Sequence, residues 1–172
     1  IVGTGWWSTE FHIPSLKKYP DCELVALIDP NSDKRKKAEE MFDIPSGFEN
    51  VTQALSAMKI DGAIVATPSA LHYPVAKELL ENGVHVMVEK PLAVNKKHAY
   101  RMQELAINNN VHLLTNFETT WYPSHAKMWQ MVKEEKVLGT IRKVVIMDGH
   151  RGPKEIGCAP EFLNWLTDPV MN

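Results

Sequence analysis

Three residues at the end of an apolar run, Glu89, Lys90 and Pro91, combine a carboxylate, an ammonium and a proline. Charges cost free energy when they are buried, and proline ends the hydrogen-bond ladder of a strand. A lysine at such a strand end can donate hydrogen bonds to a hydroxyl or carbonyl group, and it can transfer a proton. Glu89 could hold the lysine, and a cis bond before Pro91 could aim it. The alternative is an exposed ion pair, which contributes little stability.

A second chemical signal is the turn GTGWWS, residues 3–8, which matches GxGxx(G/A/S) between a predicted strand and a predicted helix. In this pattern Gly3 permits a tight turn and Gly5 lets the backbone approach a pyrophosphate. Ser8 occupies the small position where helix and strand pack closely. The helix N-terminus then offers free N–H groups to the anion. A GxG pair alone is equally the sign of an ordinary turn.

Asp29 supplies the other half of a dinucleotide-binding pattern, because it ends the β-rich run at 22–29. Its carboxylate could accept both hydrogen bonds from an adenosine ribose, and it would repel a 2′-phosphate. This favours NAD over NADP. Two alternatives stay open: Asp29 could cap the following helix, and the basic run 34–37 could hold a phosphate, although a solvated helix face is the simpler interpretation. NADP is therefore not excluded.

The elements that must position these residues alternate between strand and helix. Strands separated by helices of about 10–15 residues predict βαβ units and an α/β fold with a Rossmann-type, doubly wound parallel sheet. Apolar runs with little alternation predict strands covered on both faces. The predicted strands are 22–29, 62–68, 84–91, 111–117 and 140–150, and the predicted helices are 8–18, 32–41, 51–57, 70–83, 96–110 and 124–136.

In a sheet of this kind, ligands bind beyond the carboxyl ends of the strands. Thr67, Pro68 and His72 follow the strand at 62–68 and therefore fall on the same side as Gly5, Asp29 and Lys90. His72 alone is as well explained by a histidine at a helix start whose ring bonds to the backbone. The sequence thus predicts one ligand-binding edge.

The pattern changes after Asn116, where a polar and aromatic stretch begins. We predict a dinucleotide-binding Rossmann domain at 1–116 and the incomplete start of a C-terminal α/β domain at 117–172. The sequence begins inside its first predicted strand and ends without a terminal element, which predicts a piece of a longer chain. Candidate substrate contacts in the second part are Trp121, Tyr122, His150 and Arg151, whereas Trp165 is assigned to the core.

The composition narrows the class of protein. The 172 residues are 44% hydrophobic and 23% charged with a net charge of −2, as in soluble globular domains, and there is no basic excess for nucleic acid. No apolar run approaches the roughly 20 residues of a membrane span. Cys22 and Cys158 form neither a disulfide framework nor a metal set, which favours a reducing, cytoplasmic location. A targeting segment before the first predicted strand stays open as an alternative. The histidines lack HxxxH or HExxH spacing, so no metal is predicted.

These motifs, in their order along the chain, resemble the Gfo/Idh/MocA oxidoreductases. The resemblance rests on GTGWWS, Asp29, ATPSALH, EKPLA and the passage EKVLGTIRKV. It implies a Rossmann domain followed by an α/β domain with a large open sheet, a nicotinamide cofactor, and a sugar, inositol or related polyol as substrate. It also implies a homo-oligomer that associates through the open sheet.

The resemblance assigns roles to the matching residues. Lys90 would be catalytic, and Glu89 would approach the nicotinamide. The cofactor-binding residues would be Gly3, Thr4, Gly5, Trp6, Trp7, Asp29, Thr67, Pro68, His72, Glu89, Lys90 and Asn116.

Two departures from the family pattern leave other functions open. Glu118-Thr119-Thr120 stands where the family has an Asn-Arg-Arg-like stretch, and the downstream glycine-rich segment with a catalytic histidine does not occur in this sequence. A sugar dehydrogenase is the leading interpretation. The alternatives are a glycoside hydrolase that oxidises its sugar transiently with bound NAD, and a non-catalytic nucleotide-binding regulator.

Overall fold

The structure, a computed structural model, describes residues 1–147 together with 149, 152–155, 157, 158, 160, 163 and 164. Its contacts divide the chain into two units, one containing Ile1–Asn116 and the other consisting of Phe117–Cys158. His150, Arg151 and Trp165 lie outside the described residues. No helix in the described part of the chain is both long enough and apolar enough to span a membrane.

The first unit is built on parallel strands. Strand β1 (Leu27–Ile28) pairs with β2 (Gly47–Phe48), and β4 (His85–Glu89) pairs with both β3 (Gly62–Val65) and β5 (Leu113–Asn116).

Val2 joins the two halves of this sheet, since it bridges Ile28 on one side and Val65 on the other. Its N–H donates to Ile64 O at 2.8 Å, and its carbonyl accepts from Ala66 N at 2.9 Å. The order is therefore β2–β1–Val2–β3–β4–β5, and the direction of winding reverses at Val2. This confirms the predicted α/β fold with a doubly wound parallel sheet, whose switch point is where such folds bind dinucleotides.

Helices connect the strands much as the periodicity predicts. Side chains of Asn31, Asn50 and Asn95 cap three of them by accepting from the backbone N–H three residues later. The first helical segment begins as a π-helical turn, Ser8–His12. Pro14 has no N–H to donate to the preceding turn, which accounts for the irregularity. The α-helices are α1 (Ile13–Lys17), α2 (Ser32–Phe42), α3 (Val51–Ala57), α4 (Ser69–Glu81) and α5 (Lys96–Asn108).

The core of this unit lies between the sheet and its helices. Val65, Val86 and Val88 on the strands are buried together with Leu79 of α4 and Met102 of α5. A second cluster contains Ile13, Leu27, Ala38 and Ile44. This packing fixes the carboxyl ends of the strands, where the polar residues predicted to bind ligands are found.

The second unit is helical over much of its described length. A 3₁₀ turn at Glu118–Trp121 leads into α6 (Pro123–Trp129) and a π-helical turn at Gln130–Glu134. The strand predicted at 140–150 is wrong for the described residues of that range, which pair with no other strand. An alternating apolar pattern forms a strand only beside a partner, and the described residues supply none.

Candidate functional site

The turn Gly3–Ser8 begins with a glycine that the fold itself requires. Gly3 has a φ of 95°, and a Cβ at this position would lie 2.6 Å from Ala66 O. Its N–H donates to Ile28 O at 2.8 Å, and its carbonyl accepts from Ser8 Oγ at 2.7 Å. The turn is thereby held against the ends of β1 and β3.

Gly5 differs from Gly3, because among the described residues no atom lies within 4 Å of where its Cβ would be. The fold does not need a glycine there for space or for a positive φ. Open space beside an exposed backbone suits the close approach of a phosphate group to the N–H groups of the turn.

Asp29 is oriented by its neighbours rather than left free. Thr4 donates both its N–H and its hydroxyl to Oδ2, each at 2.8 Å, and Asn31 N donates to Oδ1 at 2.8 Å. The cap of α2 is Asn31 itself, whose side chain accepts from Lys34 N. Asp29 therefore stabilises the turn before α2 and also ties the end of β1 to the glycine turn.

The basic run 34–37 does not behave as a unit. The side chains of Lys34, Lys36 and Lys37 are exposed, as a solvated face requires. Arg35 turns inwards instead: its guanidinium donates to Asp29 O at 2.5 Å, and its Nε lies 3.3 Å from Glu39 Oε1.

Two buried hydroxyl groups beside the end of β3 lack a partner within the described part of the chain: Thr67 Oγ1 and Ser69 Oγ. Buried polar atoms are nearly always hydrogen-bonded, so each such group needs an explanation. Both belong to the TPxxxH stretch on the predicted ligand edge. They are suited to bind the polar groups of a ligand.

His72 is buried and joins two backbone segments. Its Nε2 lies 2.9 Å from Thr67 O and its Nδ1 lies 2.7 Å from Pro91 O. With both nitrogens engaged, His72 positions Thr67 and Pro91 through their backbone, which is the alternative that the sequence left open.

Glu89 is the most enclosed carboxylate of the site. Oε1 accepts from Trp7 Nε1 at 2.8 Å, from His12 Nε2 at 2.8 Å and from Asn116 Nδ2 at 2.6 Å. Asn116 is adjacent because β5 pairs with β4 in that register. Burial acts to raise the pKa of Glu89, but the hydrogen bonds from His12 and Asn116 outweigh it and hold the pKa below its ordinary value.

Lys90 is exposed and forms no ion pair among the described residues. Glu89 does contact the lysine, but through the main chain: its Oε2 accepts from the backbone N–H of Lys90 at 3.2 Å and does not bind the ammonium. The Lys90–Pro91 bond is cis, as the sequence suggested. The ammonium is left available to a ligand.

Aromatic side chains cluster beside the glycine turn. Trp7 and Phe11 lie with ring centroids 4.4 Å apart, and Trp6 meets Phe11 edge-on at 5.5 Å.

Trp121 and Tyr122, the candidate substrate contacts in the second unit, are exposed.

The contribution of His12 was not predicted. It lies four residues after Ser8, on the same helical face, and both are buried. That i, i+4 spacing was the available signal, although it does not identify Glu89 as the partner.

No group of three or more potential metal ligands occurs in the described part of the chain.

These residues fit a dinucleotide. The open space at Gly5 suits a pyrophosphate, the oriented carboxylate of Asp29 suits a ribose diol, and the unpartnered hydroxyl of Thr67 suits a polar group further along the edge. They lie on both sides of the switch point at Val2, as a ligand bound across it requires.

Comparison with known proteins agrees with this geometry. Residues 1–117 match the family model Gfo/Idh/MocA, described as an oxidoreductase family with an NAD-binding Rossmann fold. The scyllo-inositol 2-dehydrogenase (NADP(+)) of Bacillus subtilis is 27% identical over 143 residues, which are 83% of this chain and 42% of that protein.

Two solved structures are also similar. The WlbA dehydrogenase of Bordetella pertussis in complex with NADH and UDP-GlcNAcA has a TM-score of 0.72 and 27% identity, over 77% of this chain and 40% of its own. A 3-ketoreductase from Actinomadura kijaniata in complex with NADP and TDP-benzene has a TM-score of 0.71 and 26% identity, over 77% and 41%. The chain thus spans less than half the length of these relatives.

Proposed function

Since the chain belongs to the Gfo/Idh/MocA family of NAD-binding oxidoreductases, as its match over residues 1–117 shows, we propose that the protein transfers hydride between a nicotinamide cofactor and a sugar, inositol or related polyol. Relatives that act on inositol, or that were solved with nucleotide sugars, support this substrate class.

The observation that carries the proposal is the connection between the glycine turn and the Glu89–Lys90 edge. Trp7 follows the turn, and its indole N–H reaches Glu89 Oε1 at 2.8 Å. The residues suited to a dinucleotide and the lysine suited to proton transfer are therefore parts of one connected site.

Lys90 would carry out the proton transfer. When bound, the nicotinamide supplies the hydride acceptor or donor. As a hydroxyl is oxidised to a carbonyl, the amine of Lys90 takes the hydroxyl proton, and in the reverse direction the ammonium returns it. Glu89 and His72 fix the backbone on either side of Lys90, at its N–H and at Pro91 O.

The cofactor would lie along the predicted residues. Gly3 to Trp7 would hold the pyrophosphate, and Asp29 would hold the adenosine ribose. Thr67 and Pro68 would contact the part of the cofactor that extends beyond the switch point. Asp29 would favour NAD, because a 2′-phosphate would meet an ionised carboxylate. The solved relatives bind NADH in one case and NADP in the other, so the family alone does not decide this choice.

The proposal extends to the domains, the substrate contacts of the second unit, assembly and location. We propose that 1–116 is the cofactor domain and that 117–172 begins a substrate domain, in which Trp121 and Tyr122 offer exposed aromatic faces to a sugar. His150 and Arg151 stay candidate substrate contacts. We also propose that the complete protein is a homo-oligomer, as the family resemblance implies. The free thiols of Cys22 and Cys158 agree with a cytoplasmic location.

The test is absorbance at the NADH band, with the complete protein, free cofactor and a panel of inositols, sugars and nucleotide sugars. Net, substrate-dependent reduction or oxidation of the cofactor supports the proposal. Glycoside cleavage without net reduction would indicate a hydrolase instead, and dinucleotide binding without any turnover would indicate a regulator.

A further inference from the structure

Glu89 lies on the half of the sheet opposite to Asp29. The order β2–β1–Val2–β3–β4–β5 puts Asp29 after β1 on one side of the switch point and Glu89 at the end of β4 on the other. A dinucleotide that binds across the switch point with its adenosine at Asp29 extends its second nucleoside towards β3 and β4. Under the proposed function, that second nucleoside carries the nicotinamide.

The hydrogen bonds of Glu89 hold one oxygen and leave the other. Within the described residues, Oε1 accepts from three side-chain donors, on Trp7, His12 and Asn116. From the same described residues, Oε2 accepts only one hydrogen bond, a longer one of 3.2 Å from the backbone N–H of Lys90. The carboxylate is therefore fixed in orientation and keeps acceptor capacity on Oε2 alone.

Three of the four donors around Glu89 are neutral: the indole of Trp7, the amide of Asn116 and the backbone N–H of Lys90. The fourth, His12 at 2.8 Å, compensates the charge of Glu89 only when its ring is protonated. Glu89 is buried, so its charge is screened less than an exposed charge would be. The ammonium of Lys90 opposes it but is exposed to solvent.

The two redox states of a nicotinamide differ in charge: the oxidised ring is positive and the reduced ring is neutral. A fixed negative charge on the nicotinamide half of the site attracts only the oxidised ring. We propose, on the basis of the proposed function, that Glu89 makes this protein select the oxidised cofactor over the reduced one. The site thereby shifts the equilibrium of bound cofactor towards oxidation.

The test compares dissociation constants rather than turnover. In the complete protein, the Kd values of the oxidised and reduced forms of the same dinucleotide are measured by calorimetry for the wild type and for Glu89→Gln. Glutamine removes the charge and keeps a carbonyl oxygen for the three donors, and it replaces Oε2, the acceptor of the Lys90 N–H, with an NH2 group. The ratio of Kd for the reduced form to Kd for the oxidised form should fall on the order of tenfold, through weaker binding of the oxidised form.

Two further variants complete the comparison. Asn116→Lys keeps Glu89 but places an ammonium next to it, so the ratio should fall in the same direction even if Glu89→Gln folds poorly. Asp61→Asn is the matched control. It removes an exposed carboxylate from the loop before β3, at the other end of the strands, and should leave the ratio unchanged.

The outcomes separate this inference from the function on which it rests. The inference is supported if the ratio of the two Kd values falls in Glu89→Gln and in Asn116→Lys and stays unchanged in Asp61→Asn. Wild-type ratios in Glu89→Gln and Asn116→Lys, with dinucleotide binding retained, would overturn the inference and leave the proposed function standing. A wild-type protein that binds neither form of the dinucleotide would overturn both.

Discussion

The indole N–H of Trp7 donates a hydrogen bond of 2.8 Å to Oε1 of Glu89, across a sequence separation of 82 residues. Trp7 belongs to the glycine turn, and Glu89 ends β4 directly before Lys90. The glycine turn is therefore bonded directly to the side chain that accepts from the backbone N–H of Lys90.

The two glycines of the turn should respond differently to alanine. Gly3→Ala introduces a Cβ that would lie 2.6 Å from Ala66 O at a φ of 95°, so the unfolding free energy should drop on the order of 1–3 kcal/mol. Gly5→Ala meets only open space within the described residues and should unfold like the wild type. Thermal denaturation measures both effects.

The same pair also tests the dinucleotide interpretation. Gly5→Ala should weaken dinucleotide binding at least tenfold, because the methyl group fills the space into which a pyrophosphate would come. Unchanged affinity in a folded Gly5→Ala protein would mean that the turn has no role in binding.

Cofactor choice should depend on Asp29. NAD(H) should bind more tightly than NADP(H), and Asp29→Asn, which removes the charge but keeps the size, should reduce that preference on the order of tenfold. Quenching of the fluorescence of Trp6 and Trp7 by the added dinucleotide gives both affinities. Tighter binding of NADP(H) to the wild type would show that the basic run 34–37 decides the choice instead.

The order of elements could be predicted because each short segment carries its own signal. Helix α3 begins after Asn50, whose side chain caps it, and β4 is a largely apolar run that ends two residues before Pro91. These signals are local, so the sequence reveals them without knowledge of the fold. The strand predicted at 140–150 is wrong because strand formation depends on a neighbour, which a local pattern does not reveal.

The partners of Glu89 could not be predicted for a related reason. Trp7, His12 and Asn116 come from the glycine turn, the first helix and β5, and only the assembled sheet brings them to one oxygen. The sequence suggested Lys90 as the partner because it is adjacent. Phe11 of the first helical segment is 45% exposed, and its ring packs on Trp6 and Trp7.

Acid should weaken the contribution of Glu89 to stability. The pKa of Glu89 is lower in the folded protein than its ordinary value of 4.5, so the folded state favours the ionised form. The resulting stabilisation is fully present above that ordinary value, and it is lost as the pH falls through the lower folded pKa. Guanidinium unfolding at several pH values should show this loss in the wild type and not in Glu89→Gln. Parallel curves for the two proteins would contradict the assignment.

Assembly provides a separate test. The family resemblance implies that the complete protein forms a homo-oligomer through the open sheet of its second domain. Light scattering on the complete protein should therefore give a mass that is a multiple of the monomer mass. A wild-type monomer at micromolar concentration would refute the proposed assembly.

The measurement that tests the account most directly is the turnover of Lys90→Met in the complete protein. The substrate is the one identified by the absorbance assay at the NADH band. Methionine keeps much of the aliphatic stem and removes the proton-transferring amine. The rate should fall on the order of 10²–10⁴-fold, the usual contribution of a positioned acid or base, whereas dinucleotide affinity and unfolding temperature should stay close to wild type. Wild-type turnover in this variant would contradict the account and reduce Glu89–Lys90–Pro91 to an ordinary strand end.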